Sequence, residues 1–355
     1  MVAWEITRRC NLACLHCRAS AEKGPYDGEF STDQCRKLLD DIAQFSKPVI
    51  ILTGGEPYIR EDIFDIARYG AEQGLRMVLA TNGTLVTDEI AGETRDAGIK
   101  RVSISLDGAD AKSHDSFRGV AGAFDGALSG IEAFKGAGVE FQINTTITRI
   151  NMDHIEEIYA FAKRLGAVAH HIFLLVPTGR GKELADQEIA PHDYERILNW
   201  FYEESLSSPI QLKATCAPHY YRIYRQRGGE RTKPEERIGG PLHSMTRGCM
   251  GGSSFCFISH TGQVQPCGFL EIDCGRLTEK EIEDIWENSS VFNDLRNMGK
   301  YKGKCGRCSF IRVCGGCRAR AYEMTGDYLA GEPFCVYEPP DKGIKSALDS
   351  FPGQA

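Results

Sequence analysis

The sequence predicts an α/β fold, an open partial barrel of six βα units with a cysteine-rich second domain behind it. Three observations lead there. Apolar strand-like runs alternate with helix-like segments through the first half of the chain, the pattern of a parallel sheet with right-handed crossovers. Glycines stand where four of the helical segments end, as residues that accept a left-handed conformation do. Most of the fourteen cysteines gather in an N-terminal triad and a C-terminal array.

Strand candidates are residues 1–6, 49–52, 76–80, 101–106, 141–147 and 170–176, with helical patterns near 32–45, 61–73, 87–97, 124–137 and 153–165. Ser31, Thr87 and Asp153 are the expected N-caps, because a short polar side chain satisfies the free N–H groups of a first turn. Gly74, Gly98, Gly138 and Gly166 close four helices. Six units are too few for an eight-fold barrel, and a doubly wound sheet is the alternative; both place ligands beyond the carboxyl ends of the strands. CNLACLHC, TGGEP, TNGT, SLDG and VPTGRGK each follow a strand candidate, which points to one shared site. The expected organisation is a barrel over 1–185, bridging helices and a substrate-side loop over 186–240, a cysteine-rich domain over 241–340 and a tail over 341–355. Within the bridge, a helix is expected near 192–206, and Arg225, Arg227, Arg231 and Lys233 read as an exposed loop face.

Composition narrows the function. Hydrophobic residues at 42 % and charged residues at 26 % are ordinary for a globular protein. A net charge of −7 argues against a general nucleic-acid binder. No apolar run has the length of a membrane span and the start lacks a signal-peptide pattern, so a cytoplasmic location is expected. Clustered cysteines in such a chain point to metal rather than to a disulfide scaffold.

Cys10, Cys14 and Cys17 have C-x3-C-x2-C spacing. Three thiolates leave one iron of a four-iron cluster without a protein ligand, open to a small molecule. Zinc would be short of its usual four ligands there. One βα unit later, Gly54 and Gly55 would let backbone approach a ligand, and Glu56 offers a carboxylate to an ammonium group. Near the C-terminus, Cys305, Cys308, Cys314 and Cys317 read C-x2-C-x5-C-x2-C, with Cys335 downstream and Cys249, Cys256 and Cys267 upstream. Two C-x2-C pairs suit a zinc ribbon; eight cysteines suit two iron–sulfur clusters. Cys35 reads as a buried small residue and Cys274 as a spare, while Cys216 stands in the run KATCAPHYYR beside several polar and aromatic residues.

With these motifs in hand, the chain resembles the radical SAM superfamily. CNLACLHC matches its cluster motif, with His16 at a position that is usually aromatic, and TGGEP matches the segment that binds the amino group of S-adenosylmethionine (SAM). The resemblance implies a partial (β/α)6 barrel. It also implies a [4Fe-4S] cluster that reduces SAM to a radical, and roles at that ligand for Asn82, Ser105, Arg118 and Asn144. The C-terminal array resembles the SPASM extension, which carries auxiliary [4Fe-4S] clusters, although Cys314 and Cys317 are one residue closer than usual. By matching positions, Cys305, Cys308, Cys314 and Cys335 would hold one auxiliary cluster, and Cys249, Cys256, Cys267 and Cys317 the other.

The segments VAWEITRRCNLACLHCRASA, HHIFLLVPTGRGKE and LKATCAPHYYRI, with the run TRGCMGGSSFCFISHTGQVQPCGFLE, resemble the heme-biosynthetic branch of the SPASM enzymes, nearest the heme b synthases. That family converts iron-coproporphyrin III to heme b by turning two propionates into vinyls. Sister families acting on didecarboxysiroheme or heme d1 precursors usually have a longer N-terminal extension and a tyrosine where this chain has Arg18. A peptide-modifying SPASM enzyme and a multi-cluster electron carrier are the remaining alternatives. The implied partners are a tetrapyrrole and a low-potential electron donor such as a ferredoxin or flavodoxin. A substrate with several carboxylates needs cations or hydroxyls, and the candidates are Arg180, Lys182, Lys213, His219, Tyr220, Tyr221, Arg222 and Arg247.

Overall fold

The computed structural model describes residues 1–228 and 247–340. The chain runs β1 (Val2–Thr7), α1 (Thr32–Phe45), β2 (Val49–Gly54), α2 (Ile63–Glu72), β3 (Arg76–Thr81), α3 (Asp88–Asp96), β4 (Val102–Ser105), α4 (Ala111–Arg118), α5 (Ala123–Ala137), β5 (Phe141–Ile147), α6 (Ile155–Leu165) and β6 (Ala169–Leu174). It continues through α7 (Pro191–Ser205), β7 (Gln211–Thr215) and α8 (His219–Gln226). The C-terminal part holds β8 (Cys256–Ile258), β9 (Gln263–Gln265), β10 (Gly275–Arg276), α9 (Ile282–Asn288), α10 (Ser290–Arg296), α11 (Gly303–Gly306) and α12 (Arg318–Thr325). Arg231 and Lys233, expected on an exposed loop face, and the expected tail beyond residue 340 fall outside the described residues.

Local chemistry explains the barrel elements. Ser31 and Gln34 form a reciprocal capping box at the start of α1, which then buries Cys35, Leu38, Leu39 and Ile42 on one face. Thr87 caps α3 by accepting from the Ile90 N–H. Gly74, Gly98, Gly138 and Gly166 all take positive φ where the helices before them end. The expected cap at Asp153 is corrected: Asp153 lies inside a short 3₁₀ turn, and α6 starts after His154 without a side-chain cap.

One ten-stranded sheet has the order β10-β9-β8-β1-β2-β3-β4-β5-β6-β7. Strands β1 to β7 pair in parallel, so the region read as a bridge supplies a seventh parallel strand. The two faces of this sheet differ. Trp4, Leu52, Leu79, Ile104 and Ile143 are buried in one core with Leu38, Ile66 and Phe134 of the helices. The alternate residues Thr53, Ala80, Ser103, Ser105, Asn144, His171 and Lys213 are smaller or polar and only half-buried. A parallel sheet covered on both faces reads as continuous hydrophobic runs. The alternation here therefore marks an inner face that is polar and not packed into an apolar core.

The C-terminal segment is built onto the barrel. β8 pairs in parallel with β1, matching Val2 to Cys256 and Trp4 to Ile258. Ile258, Val264, Ile282, Ile285 and Phe292 share the barrel's core with Val2 and Trp4. This addition covers the β1 edge, whose free backbone groups would otherwise invite misassembly. Trp4 is 1 % exposed at that junction. Trp4→Ala should cost about 3–5 kcal/mol of stability. Guanidinium denaturation of the apo chain should show a lowered midpoint, and an unchanged midpoint would contradict this packing.

Candidate functional site

The three N-terminal cysteines lie on a loop after β1 that has almost no regular structure. Cys10 and Cys14 are buried and Cys17 is half-buried. A buried loop must find partners for its backbone groups outside itself, and this one takes them from the ends of three other strands. After β2, the Gly55 N–H donates to the Thr7 carbonyl (2.9 Å) and the Glu56 N–H to the Arg9 carbonyl (2.8 Å). After β4, carbonyls of Phe117 and Arg118 in α4 accept from the N–H groups of Leu15 and Ala13. After β6, the Arg180 N–H donates to the Cys17 carbonyl, and its guanidinium reaches the carbonyls of Cys14 (2.9 Å) and Ala21 (3.2 Å).

Close approach at these points requires glycine. A Cβ on Gly54 or Gly55 would lie 2.2 Å from the carbonyl oxygen of Thr7 or Arg9. On Gly119 it would meet Ala13 O at 2.4 Å, and on Gly179 it would meet Arg18 O at 2.0 Å. Gly54 and Gly55, expected to admit a ligand, thus pack against the loop that carries the cysteines.

Glu56 is likewise committed to the fold. It is fully buried and accepts from Thr81 Oγ1 (2.8 Å), the Asn82 N–H (2.8 Å) and the Tyr58 N–H (3.2 Å). Burial raises its pKa to about 7. These bonds tie β2 to β3 and fix the carboxylate expected to meet the ammonium group. Asn82 is also used internally: its Nδ2 donates to Asn11 Oδ1 (2.9 Å) and its Oδ1 accepts from Thr84. Ser105 and Asn144 are register neighbours on the inner face.

Arg118 and the thiols carry the electrostatics. Arg118 pairs with buried Asp107 (2.5 Å) and points Nη1 at Cys14 Sγ (3.6 Å). Its Nε is buried with no hydrogen-bond partner. His16 stacks on Phe117 with ring centroids 4.4 Å apart. Burial pushes the Cys10 thiol up to about 12 and raises Cys14 despite Arg118. Buried thiols of this kind ionise when a bound cation compensates their charge, as in metal coordination.

Two further groups of four thiols lie in the C-terminal half. Cys305, Cys308, Cys314 and Cys335 surround a hollow also lined by His219, Arg222 and Glu332. Arg318 Nη2 and the Glu332 N–H each donate to Cys305 Sγ at 3.3 Å, and the Gly316 N–H donates to Cys314 Sγ at 3.4 Å. Four thiols around one hollow supply the full set of ligands that a four-iron cluster takes.

The second group corrects the sequence expectation. The Cys216 thiol is raised well above its usual value, first by burial and then by the nearby Cys317, Cys267 and Cys249. Cys267 is raised by burial, Cys249 and Cys317. The four are therefore Cys216, Cys249, Cys267 and Cys317. Cys256, expected in this group, is on β8 in the barrel core, and among the described residues the titratable groups near it are the chain's own amino terminus and Cys274. Cys216 sits in the left-handed region (φ 56°), costly for a residue other than glycine. Its carbonyl is held by Tyr194 Oη (2.8 Å) and Arg320 Nη1 (3.1 Å). Strain imposed by several contacts at once is characteristic of functional positions. The two groups adjoin, since the Cys249 N–H donates to the Cys314 carbonyl (3.0 Å). Cys35 is buried in the main core, as expected.

Most of the expected substrate cations have other partners. Arg180 braces the cysteine loop, as described above. Lys182 faces Glu323 at the surface (3.7 Å). His219 is fully buried against Glu332, which it and Arg320 hold down to about 2 although burial opposes its charge. Arg222 binds Glu195 (2.5 Å) and Gln226 (2.6 Å). Tyr220 is in a core around α7 and α8, where Tyr221 packs edge-on to it. Arg247 lies beside Gly315 and Tyr301, within the C-terminal cysteine region. Lys213 alone of the eight faces the barrel interior. Sequence reasoning missed Glu5, Asp107, Arg318, Arg320 and Glu332, buried charges whose partners are distant in the chain. Buried charge leaves no periodic signal to find.

Residues 4–162 match the radical SAM superfamily, and residues 249–309 match an iron–sulfur cluster-binding domain, SPASM. The chain is 52 % identical to the AdoMet-dependent heme synthase of Nitratidesulfovibrio vulgaris, over 96 % of this chain and 92 % of that one. It is 30 % identical to the Fe-coproporphyrin III synthase of Methanosarcina barkeri, over 98 % and 90 %. The fold is similar to that of Streptococcus suis SuiB bound to S-adenosylmethionine, with a TM-score of 0.73 and 18 % identity over 95 % of this chain and 77 % of that one.

The regrouped thiols make a direct prediction. In anaerobically reconstituted protein, Cys216→Ser should lower the iron content by about four per chain, one cubane's worth. Cys256→Ser should leave it unchanged. The reverse pattern in iron analysis would overturn the regrouping.

Proposed function

The chain belongs to the radical SAM superfamily, and from that premise we propose that it is a heme synthase converting iron-coproporphyrin III to heme b by oxidative decarboxylation of two propionates. The likeness to an AdoMet-dependent heme synthase along 96 % of the chain supports heme synthesis, and the substrate is our own addition to it. The polar inner face of the sheet supports it, because a flat molecule edged with carboxylates needs such a surface.

In this reading Cys10, Cys14 and Cys17 hold the cluster. Bound there, a [4Fe-4S] cluster supplies the electron that cleaves SAM into methionine and a 5′-deoxyadenosyl radical. The chain's part is to seat the reactants. The unpaired Arg118 Nε is available to the SAM carboxylate, with Asp107 fixing the guanidinium from the other side. Ser105 and Asn144 line the neighbouring inner face for the nucleoside. His16, neutral through burial and stacked on Phe117, shields the cysteine loop from water.

The substrate chemistry then balances simply. For each propionate, a hydrogen atom passes from the carbon next to the ring to the 5′-deoxyadenosyl radical, giving 5′-deoxyadenosine; the bond to the carboxylate breaks, CO2 departs, a vinyl forms and one electron remains to be accepted. The two C-terminal thiol groups are assigned to auxiliary [4Fe-4S] clusters. Hydrogen bonds to their sulfurs and deep burial are the features that tune such potentials. A ferredoxin or flavodoxin would supply the low-potential electron, in the cytoplasm. Among the described residues, no helix is long and apolar enough to cross a membrane.

The test is anaerobic turnover with SAM and a reductant, comparing iron-coproporphyrin III with didecarboxysiroheme. Loss of CO2 from the former, through a monovinyl intermediate to heme b, is the expected outcome by mass spectrometry. Conversion of didecarboxysiroheme alone would reject the substrate assignment.

A further inference from the structure

One row of side chains crosses the inner face from β4 to β7. Ser105 pairs in register with Asn144, Asn144 with His171, and His171 with Lys213. Residues in register across parallel strands project to the same face, and all four are half-buried. Gln142, two residues before Asn144 and on the same face, ties the row together. Its Nε2 contacts both Asn144 Oδ1 (3.0 Å) and His171 Nδ1 (2.9 Å). The row therefore runs from the residues assigned to the nucleoside to a lysine at its far end.

Lys213 differs from the other buried cations of the molecule. Arg18 is paired with Glu5 (2.5 Å) and lies 4.4 Å over the Phe257 ring. Arg118 has Asp107, Arg222 has Glu195, and Arg320 has Glu188 and four backbone or tyrosine oxygens nearby. No carboxylate or carbonyl of the described residues engages the Lys213 ammonium. Among the described residues no charge or hydrogen bond offsets its burial, which lowers its pKa to about 8. A desolvated ammonium without a partner is unfavourable. A carboxylate entering the barrel would offset that cost with a charge-assisted bond.

We propose that Lys213 anchors one carboxylate of the substrate inside the barrel, and that the Gln142–His171 pair beside it fixes the depth at which the substrate sits. This deepens the reading given under Proposed function and rests on it for the substrate. Lys213 is a positioning residue here. It holds a carboxylate that does not react, so that a neighbouring propionate lies along the row toward Ser105 and Asn144.

The experiment is a Soret titration of cluster-loaded enzyme with iron-coproporphyrin III and with its tetramethyl ester. The wild type is compared with Lys213→Met, Lys213→Gln and Lys213→Arg. Removing the charge should weaken binding of the free acid tenfold or more and leave ester binding unchanged, and Lys213→Arg should recover most of the loss. Iron content and melting temperature should match the wild type in all three variants. Equal free-acid affinity in wild type and Lys213→Met, or an equal loss for acid and ester, would overturn the proposal. A parallel titration with didecarboxysiroheme separates the two readings. If the wild type binds only that compound, the substrate assignment fails. The anchor then stands if Lys213→Met weakens that binding, and falls if it does not.

Discussion

The structure depends on immobilising one irregular loop. Cys10, Cys14 and Cys17 have no helix or strand to fix their spacing, so the loop borrows rigidity from elements around it. Donors and acceptors at the ends of β2, β4 and β6 satisfy its backbone, and Gly54, Gly55, Gly119 and Gly179 let them come close enough. Each such bond contributes only about 1 kcal/mol. Their effect is geometric: the loop is held from three directions, and a shift of any one carbonyl would move a thiol. This explains why Glu56, Asn82 and Arg180 serve the loop and its supports. Residues expected to contact ligands are also part of the frame that keeps the ligand site in place.

A second constraint links barrel and C-terminal half. Strand β8 lies against β1, and a shared core leaves the two parts little freedom to separate. The Cys216 group straddles this junction, with one thiol on the connection from β7 to α8 and three from beyond residue 247. Arg320 binds the Cys216, Leu174 and Leu175 carbonyls while standing near Glu188 and Glu332. A buried arginine with that many partners acts as a rivet between the end of β6 and the cysteine-bearing loops. A cluster ligated from both parts would lock the same junction again.

Much of this was legible in the sequence, for identifiable reasons. The six βα units follow from apolar runs, Ser31 and Thr87 caps and closing glycines, which are local signals. The triad was legible because its three ligands lie within eight residues. β7 was not, because QLKAT is short and half polar, and only its pairing with His171 and Ile172 makes it a strand. Cys256 was expected as a ligand from its position in the SPASM-like array, yet strand alternation turns it into the core. Arg222 and His219 looked like substrate contacts because Glu195 and Glu332, the carboxylates that occupy them, lie far away in the chain. Partnership between distant residues is a property of the fold, which a single sequence does not display.

The account turns on an iron at the triad that SAM completes. Pulsed electron–nuclear double resonance on the reduced enzyme tests this directly, using SAM labelled with nitrogen-15 at the amino group and oxygen-17 at the carboxylate. To isolate the triad's signal, Cys305 and Cys317 would be replaced by serine together. Hyperfine coupling from both labels to the cluster is the result expected of an iron with an open position. A reduced cluster that binds labelled SAM yet shows coupling from neither atom would contradict it.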